Sequence, residues 1–322
     1  MECVMSGMAL SASKRRGARA PGRLLASILV ALGVGGVSVM MGPGASAASS
    51  TKLRVVAAEN FWGSIVRQLA GNKATVTSVI TNPDTDPHDY EAKPSDGRTI
   101  ASAEYVIENG IGYDAWFQKL LDASPSSGRK VLDVGKLVGV DAGGNPHQWY
   151  SPQTVQSVID RVSRDLARLD PKNARYYDQQ KTKFESTGLK QYHDLIAGIK
   201  QQYAGTPVGA TESIFAPLAR ALDLKLITPE TFLDAVAEGT DPTAQDKAAV
   251  DDQIAGNKIK VLVYNNQNAT PDVKTLVKAA KAKKIPVTTV TETLSPVGVT
   301  FQTWQSQQLA ALKAALAKGT GT

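Results

Sequence analysis

Residues 152–203 carry no strand signal, and that gap splits the chain into two matching patterns. Before it, β-branched apolar runs at 53–57, 74–80, 105–107 and 130–134 alternate with helical stretches near 62–69 and 115–121. After it the alternation resumes. Strand candidates lie at 208–211, 224–227, 259–264 and 286–291, with helices at 214–222, 244–254, 271–281 and 303–317. Alternating β and α segments of this length form parallel sheets covered by helices. Inside the gap, Val155, Val158, Ile159, Val162, Leu166 and Leu169 recur at spacings of three and four, the mark of an amphipathic helix. Asp170-Pro171 ends it, because Pro171 can open a new helix but not continue the old one. The new helix is expected over 172–203, ~45 Å long at 1.5 Å per residue. A helix of that length outgrows one small domain. The fold class is therefore α/β, with two lobes, each a short parallel sheet flanked by helices, joined by one long rigid helix. The boundaries expected are 48–171 for the first lobe, 172–204 for the linking helix and 205–322 for the second.

Residues 1–47 are set apart as a signal peptide. A basic stretch from Lys14 to Arg23 precedes an apolar run from Leu24 to Met41, and Ala45-Ser46-Ala47 offers the small residues a signal peptidase needs. The apolar run is close to the ~18 residues that span a membrane, so retention as an anchor is the fallback. The expectation is a cleaved leader and a periplasmic protein. Cys3 is the only cysteine, so the remainder has no disulfide, no thiolate ligand and no lipid-anchor cysteine. Of 36 basic and 30 acidic residues, 31 and 29 lie beyond residue 47. That near balance argues against a nucleic-acid partner, which needs a concentrated basic face.

The chain has three histidines. His88 lies in Asn82-Pro-Asp-Thr-Asp-Pro-His-Asp-Tyr-Glu91, and His147 in Asn145-Pro-His-Gln-Trp149, both in loops that follow strands. In open α/β sheets that edge is where ligands collect. Each follows a proline, which fixes φ and stiffens its loop before a ligand arrives. His193 falls mid-helix and reads as part of a solvated face. In the second half, Glu212 follows the strand at 208–211 and Glu292 follows the strand at 286–291. Taken alone, each acid also suits a helix N-terminus or an exposed turn. Together, two imidazoles from one half and two carboxylates from the other form a candidate site for a divalent metal. A metallohydrolase would need a further general base and an open position for water. All four candidates are used as ligands here, so no catalytic residue and no bound cofactor besides the metal is expected. Neither an H-E-x-x-H, a G-x-S-x-G nor a phosphate-binding G-x-x-x-x-G-K-[ST] segment occurs.

Five segments in order resemble the metal-binding solute-binding proteins of ABC transporters, the zinc, manganese and iron group known as cluster A-I or TroA-like. They are Asp86-Pro-His-Asp-Tyr-Glu91 with Pro94-Ser-Asp96, Glu108-Asn-Gly-Ile-Gly112 with Trp116, Asn145-Pro-His-Gln-Trp149, Glu212-Ser-Ile-Phe215, and Thr291-Glu-Thr-Leu294. The resemblance implies that His88 and His147 are ligands from the first lobe, and Glu212 and Glu292 ligands from the second. It also implies a rigid linking helix that limits opening, and delivery of the metal to a membrane permease driven by a cytoplasmic ATPase. The chain departs from the family pattern in several ways. Asn145 stands where Asp is usual, Glu292 stands where Asp is common, and a His/Asp-rich loop between His88 and His147 is missing.

The function expected is thus a monomeric, non-enzymatic binding protein for one divalent transition metal. Two nitrogens and up to four carboxylate oxygens favour Mn2+, with Zn2+ and Fe2+ close behind. Two neutral imidazoles and two carboxylates would also balance the ion's charge on burial. The alternatives are a binding protein for a chelated metal or small organic ligand, a secreted metallohydrolase, and a surface adhesin. Trp62, Tyr90 and Trp149 are expected in the core more than on the cleft wall.

Overall fold

The computed structural model describes residues 52–83, 85, 87 and 90–322, which fall within one compact unit. The leader and His88 lie outside the described residues. The first half runs β1 (Leu53–Glu59), α1 (Asn60–Ala70), β2 (Ala74–Ile80), α2 (Pro94–Ala101), β3 (Tyr105–Glu108), α3 (Ala115–Ala123), β4 (Lys130–Asp133) and α4 (Val134–Val138). Helical segments follow at α5 (Pro152–Leu169), α6 (Ala174–Lys183) and α7 (Lys190–Tyr203). The second half is β5 (Pro207–Ala210), α8 (Ala216–Ala221), β6 (Lys225–Leu226), α9 (Glu230–Ala237), α10 (Ala244–Ala255), β7 (Leu262–Asn265), α11 (Pro271–Ala282), β8 (Val287–Val290) and α12 (Phe301–Thr320).

Both sheets are wholly parallel and share one topology, β2-β1-β3-β4 and β6-β5-β7-β8. The first strand of each sheet sits inside, and the chain leaves it in one direction and then the other. That reversal opens a crevice at the carboxyl ends of the central strands. Period-two alternation explains why the first sheet is covered on both faces. Val55, Ala57, Tyr105 and Ile107 point into the main core with α1 and α5. Val56, Ala58 and Val106 point the other way, against Ile100 of α2 and Phe117 of α3. The main core continues without a break into the second half, through Val208, Val263, Phe301 and Trp304. Among the described residues no helix is long and apolar enough to cross a membrane.

The helix boundaries follow local chemistry. Ser151 caps α5 by accepting from the Thr154 amide at 3.2 Å, and Pro152 occupies its first turn. Asp170 ends it and accepts from Asn173 (2.6 Å) and the Tyr177 hydroxyl (2.8 Å). Beyond it the structure departs from one uninterrupted helix over 172–203. A 3₁₀ turn at Pro171–Asn173 leads into α6, and a π turn at Phe184–Gly188 separates α6 from α7. The break has a steric side: a Cβ at Gly188 would stand 2.9 Å from the ring of buried Phe184. His193 is exposed on α7.

Candidate metal centre

Three of the four residues singled out in the sequence converge. His147 follows the Asn145-Pro146 corner, Glu212 lies two residues past β5, and Glu292 two residues past β8. One ligand atom from each lies within 4.8 Å of the others, and all three residues are buried. His147 Nε2 is 3.8 Å from a Glu212 oxygen and 3.5 Å from Glu292 Oε1. Donors bound ~2.1 Å from a common ion stand ~3–3.5 Å apart, so a small closure fits them around a cation.

The three groups are held by neighbours on every side. The Asn145 Oδ1 accepts from the His147 amide and lies 2.9 Å from His147 Nδ1. Tyr113, from the first half, donates its hydroxyl to Glu292 Oε2 at 2.9 Å across the interface. The Asn265 amide at the end of β7 donates to Glu292 Oε1 (2.8 Å) and to Glu212 Oε2 (3.1 Å), bridging the two carboxylates. Its own oxygen accepts from the Gln267 amide, which fixes the side chain's orientation. Asn268 adds a weaker donor to Glu212 at 3.3 Å. The imidazole is enclosed by Tyr113 and Trp149, whose rings are 6.1 and 5.2 Å away, and Phe61 stacks on Trp149 at 4.1 Å. Trp62 and Trp149 are fully buried, while Tyr90 packs on Trp116.

Burial sets the protonation of these groups. It pushes the His147 imidazole down to about 4, outweighing the attraction of Glu212, so the ring is neutral near pH 7. Burial, followed by the charge of Glu292, pushes the Glu212 carboxyl well up. The metal-free pair therefore holds a proton that a cation would displace. Further back, Glu59, Glu108 and Asp114 form a buried acid group at the first sheet's carboxyl edge, with burial pushing Glu108 up to about 8 and Asp114 to about 6. Asp114 accepts from the Asn109 (2.6 Å) and Gly110 (2.8 Å) amides, and Asn109 donates to the Pro146 carbonyl at 2.9 Å. Asp114, through Asn109, thus braces the turn that carries His147.

The chain just before residue 88 is tied at two points. Gln267 donates to the Pro83 carbonyl at 2.6 Å, and the Trp116 indole to the Pro87 carbonyl at 3.2 Å. A cavity of about 310 Å³ opens beside the site, lined by Tyr113 and Asn145 from one half and Ser213 and Asp234 from the other. The sequence reading did not reach Asn265 and Tyr113. Asn265 carried the same signal as Glu212, a polar residue at a strand's carboxyl end.

Residues 55–315 match the family described as ZnuA: Zinc-uptake complex component A periplasmic. The chain belongs to this family. Members of the ZnuA family are uptake components, a fact that favours binding over catalysis. The chain is 30% identical over 163 residues to a manganese ABC transporter substrate-binding lipoprotein, PsaA, of Streptococcus mitis, covering 47% of this chain and 50% of that one. It is 26% identical over 225 residues to the iron-binding protein YfeA of Yersinia pestis, covering 66% and 70%. The chain spans about half the length of the manganese-binding relatives it matches. In fold, it superposes on the Mn-bound S38A mutant of a periplasmic metal binding protein from Candidatus Liberibacter asiaticus. That match has a TM-score of 0.69 and 19% identity, over 83% of this chain and all of that one.

Proposed function

We propose that this ZnuA-family chain captures one divalent transition metal between its two halves, outside the cytoplasm, and passes it to a membrane permease powered by a cytoplasmic ATPase. The observation that carries this reading is the buried meeting of His147 Nε2 with Glu212 and Glu292 oxygens at 3.8 and 3.5 Å. His88 supplies the fourth ligand, from a loop whose Pro83 carbonyl is already tied to Gln267 of the second half. Residues 1–47 act as a cleaved leader, 48–171 and 205–322 as the metal-gripping lobes, and 172–204 as the rod between them. The protein works as a monomer. Two nitrogens and an oxygen-rich remainder favour Mn2+ over Zn2+ and Fe2+.

Metal content by mass spectrometry tests the reading, on protein purified without chelator or affinity metal. About one Mn, Fe or Zn per chain is expected, and its loss in both His88→Ala and Glu292→Ala. Metal kept in Glu292→Ala would remove that residue from the ligand set. A wild type that takes up no metal from any of the three ions would overturn the reading.

A further inference from the structure

The residue before Pro146-His147 is an amide, Asn145, and it is used at both ends. Asn145 Oδ1 accepts from the His147 backbone amide at 2.9 Å and stands 2.9 Å from His147 Nδ1. Asn145 Nδ2 donates to the Ser213 carbonyl at 2.8 Å. The orientation of the amide is forced, since a backbone N–H needs an acceptor and a carbonyl needs a donor. The oxygen is acceptor-only, so His147 Nδ1 carries the ring hydrogen, and the Nε2 lone pair faces Glu212 and Glu292. Ser213 is in the other half, adjacent to Glu212 and at the start of a 3₁₀ turn. The Asn145 backbone is fixed too: its carbonyl accepts from Gln148 Nε2 at 2.8 Å, and a Cβ at Gly144 would crowd Val140.

We propose that Asn145 is a positioning residue with two roles, fixing the His147 tautomer through its oxygen and latching the two halves through its nitrogen, so that the latch sets how long the metal stays. An aspartate here would keep the first role and lose the second, placing lone pairs against the Ser213 carbonyl. The inference rests on the metal-capture reading for its kinetic half only. The tautomer half stands on the metal-free geometry.

Two measurements on the purified protein test it, with wild type, Asn145→Asp and Asn145→Ala. The first is stopped-flow transfer of bound Mn2+ to an excess of chelator. Loss of one hydrogen bond at a half-buried position speeds release about 2- to 10-fold in both variants, with about one Mn2+ per chain retained at saturation. Release from both variants at the wild-type rate overturns the latch. Either variant reads the latch if the other fails to fold. The second is 15N NMR of the metal-free imidazole, which shows a single Nδ1–H tautomer in wild type and Asn145→Asp and a mixture in Asn145→Ala. One unchanged tautomer in Asn145→Ala overturns the positioning role. Wild type that binds no Mn2+ overturns the metal reading and the latch's kinetic role together, while the NMR result still decides the tautomer.

Discussion

At the scale of single residues, the site is a problem of holding two buried acids side by side. Asn265 solves part of it, giving one amide nitrogen to both carboxylates at 2.8 and 3.1 Å. Groups that orient ligands in this way are worth about 10- to 100-fold in metal affinity. Asn265→Ala is therefore expected to weaken Mn2+ binding by about that factor, read by competition with a chelating dye. An unchanged affinity would show that the carboxylates position themselves. Protons supply the rest of the solution. The Glu212 carboxyl is raised by burial and by Glu292, so the metal-free protein holds a proton there that ionised ligands cannot keep. Binding near pH 7 is expected to release about one proton, and affinity to climb about tenfold per pH unit until that carboxyl ionises unaided. His147, already neutral with its ring pushed down to about 4, adds no proton above pH 6. Calorimetry in two buffers of different ionisation enthalpy counts the protons released, and a count of zero would contradict the shared-proton picture.

At the scale of elements, the two candidate carboxylates are placed just past strand ends, and the one at Glu292 is pinned by a helix. Thr291, one residue before Glu292, shows the pattern. The Trp304 indole on α12 donates to its hydroxyl at 2.7 Å, and the Tyr150 hydroxyl donates to its carbonyl at 2.9 Å. Trp304→Phe keeps most of the buried ring and removes the donor. It is expected to cost about 1 kcal/mol of folding stability, measured by urea denaturation. It should also weaken Mn2+ binding, because the strand end carrying Glu292 loosens. A stability loss with untouched affinity would mean that the Trp304 bond to Thr291 has no part in placing Glu292. The π turn between α6 and α7 belongs to this scale as well. It falls at Gly188, beside Gln302 of α12, so this helical stretch is braced from the side.

At the scale of the whole molecule, the two halves share one core and are stitched by side-chain bonds from one to the other. Asn60 accepts from the Leu294 amide at 3.0 Å, Ser64 from the Phe301 amide at 2.9 Å, and Tyr113 reaches Glu292. A cation that binds between the halves adds its free energy to that stitching. Mn2+ at 100 times its dissociation constant is expected to stabilise the protein by about 2.7 kcal/mol. For a molecule of this size, that raises the melting temperature by about 5–10 °C. Differential scanning fluorimetry checks the shift, and His147→Ala should abolish it. An equal shift in His147→Ala would place the metal elsewhere.

The eight strands and the strandless middle were legible in the sequence because alternation of apolar β-branched runs with amphipathic stretches is a local property. The ligand candidates were legible for a related reason. Glu212 and Glu292 each follow a strand, and His147 lies in the loop beyond β4 and α4; parallel sheets gather such positions at one edge. What needed the tertiary structure was everything that depends on a partner distant in sequence. Asn265 stands 53 residues from Glu212, and Tyr113 stands 179 residues from Glu292. The π turn at Phe184–Gly188, where a Cβ at Gly188 would crowd the buried Phe184 ring, had no mark in the periodicity that predicted one unbroken helix. Protonation was also undecided, because ionisation in the site depends on burial, and burial exists only once the halves have closed around it. The sequence by itself determined which residues could meet; the tertiary structure decided how Asn145, Asn265 and Tyr113 hold them, because hydrogen-bond geometry across two halves of a chain is a property of the packed molecule.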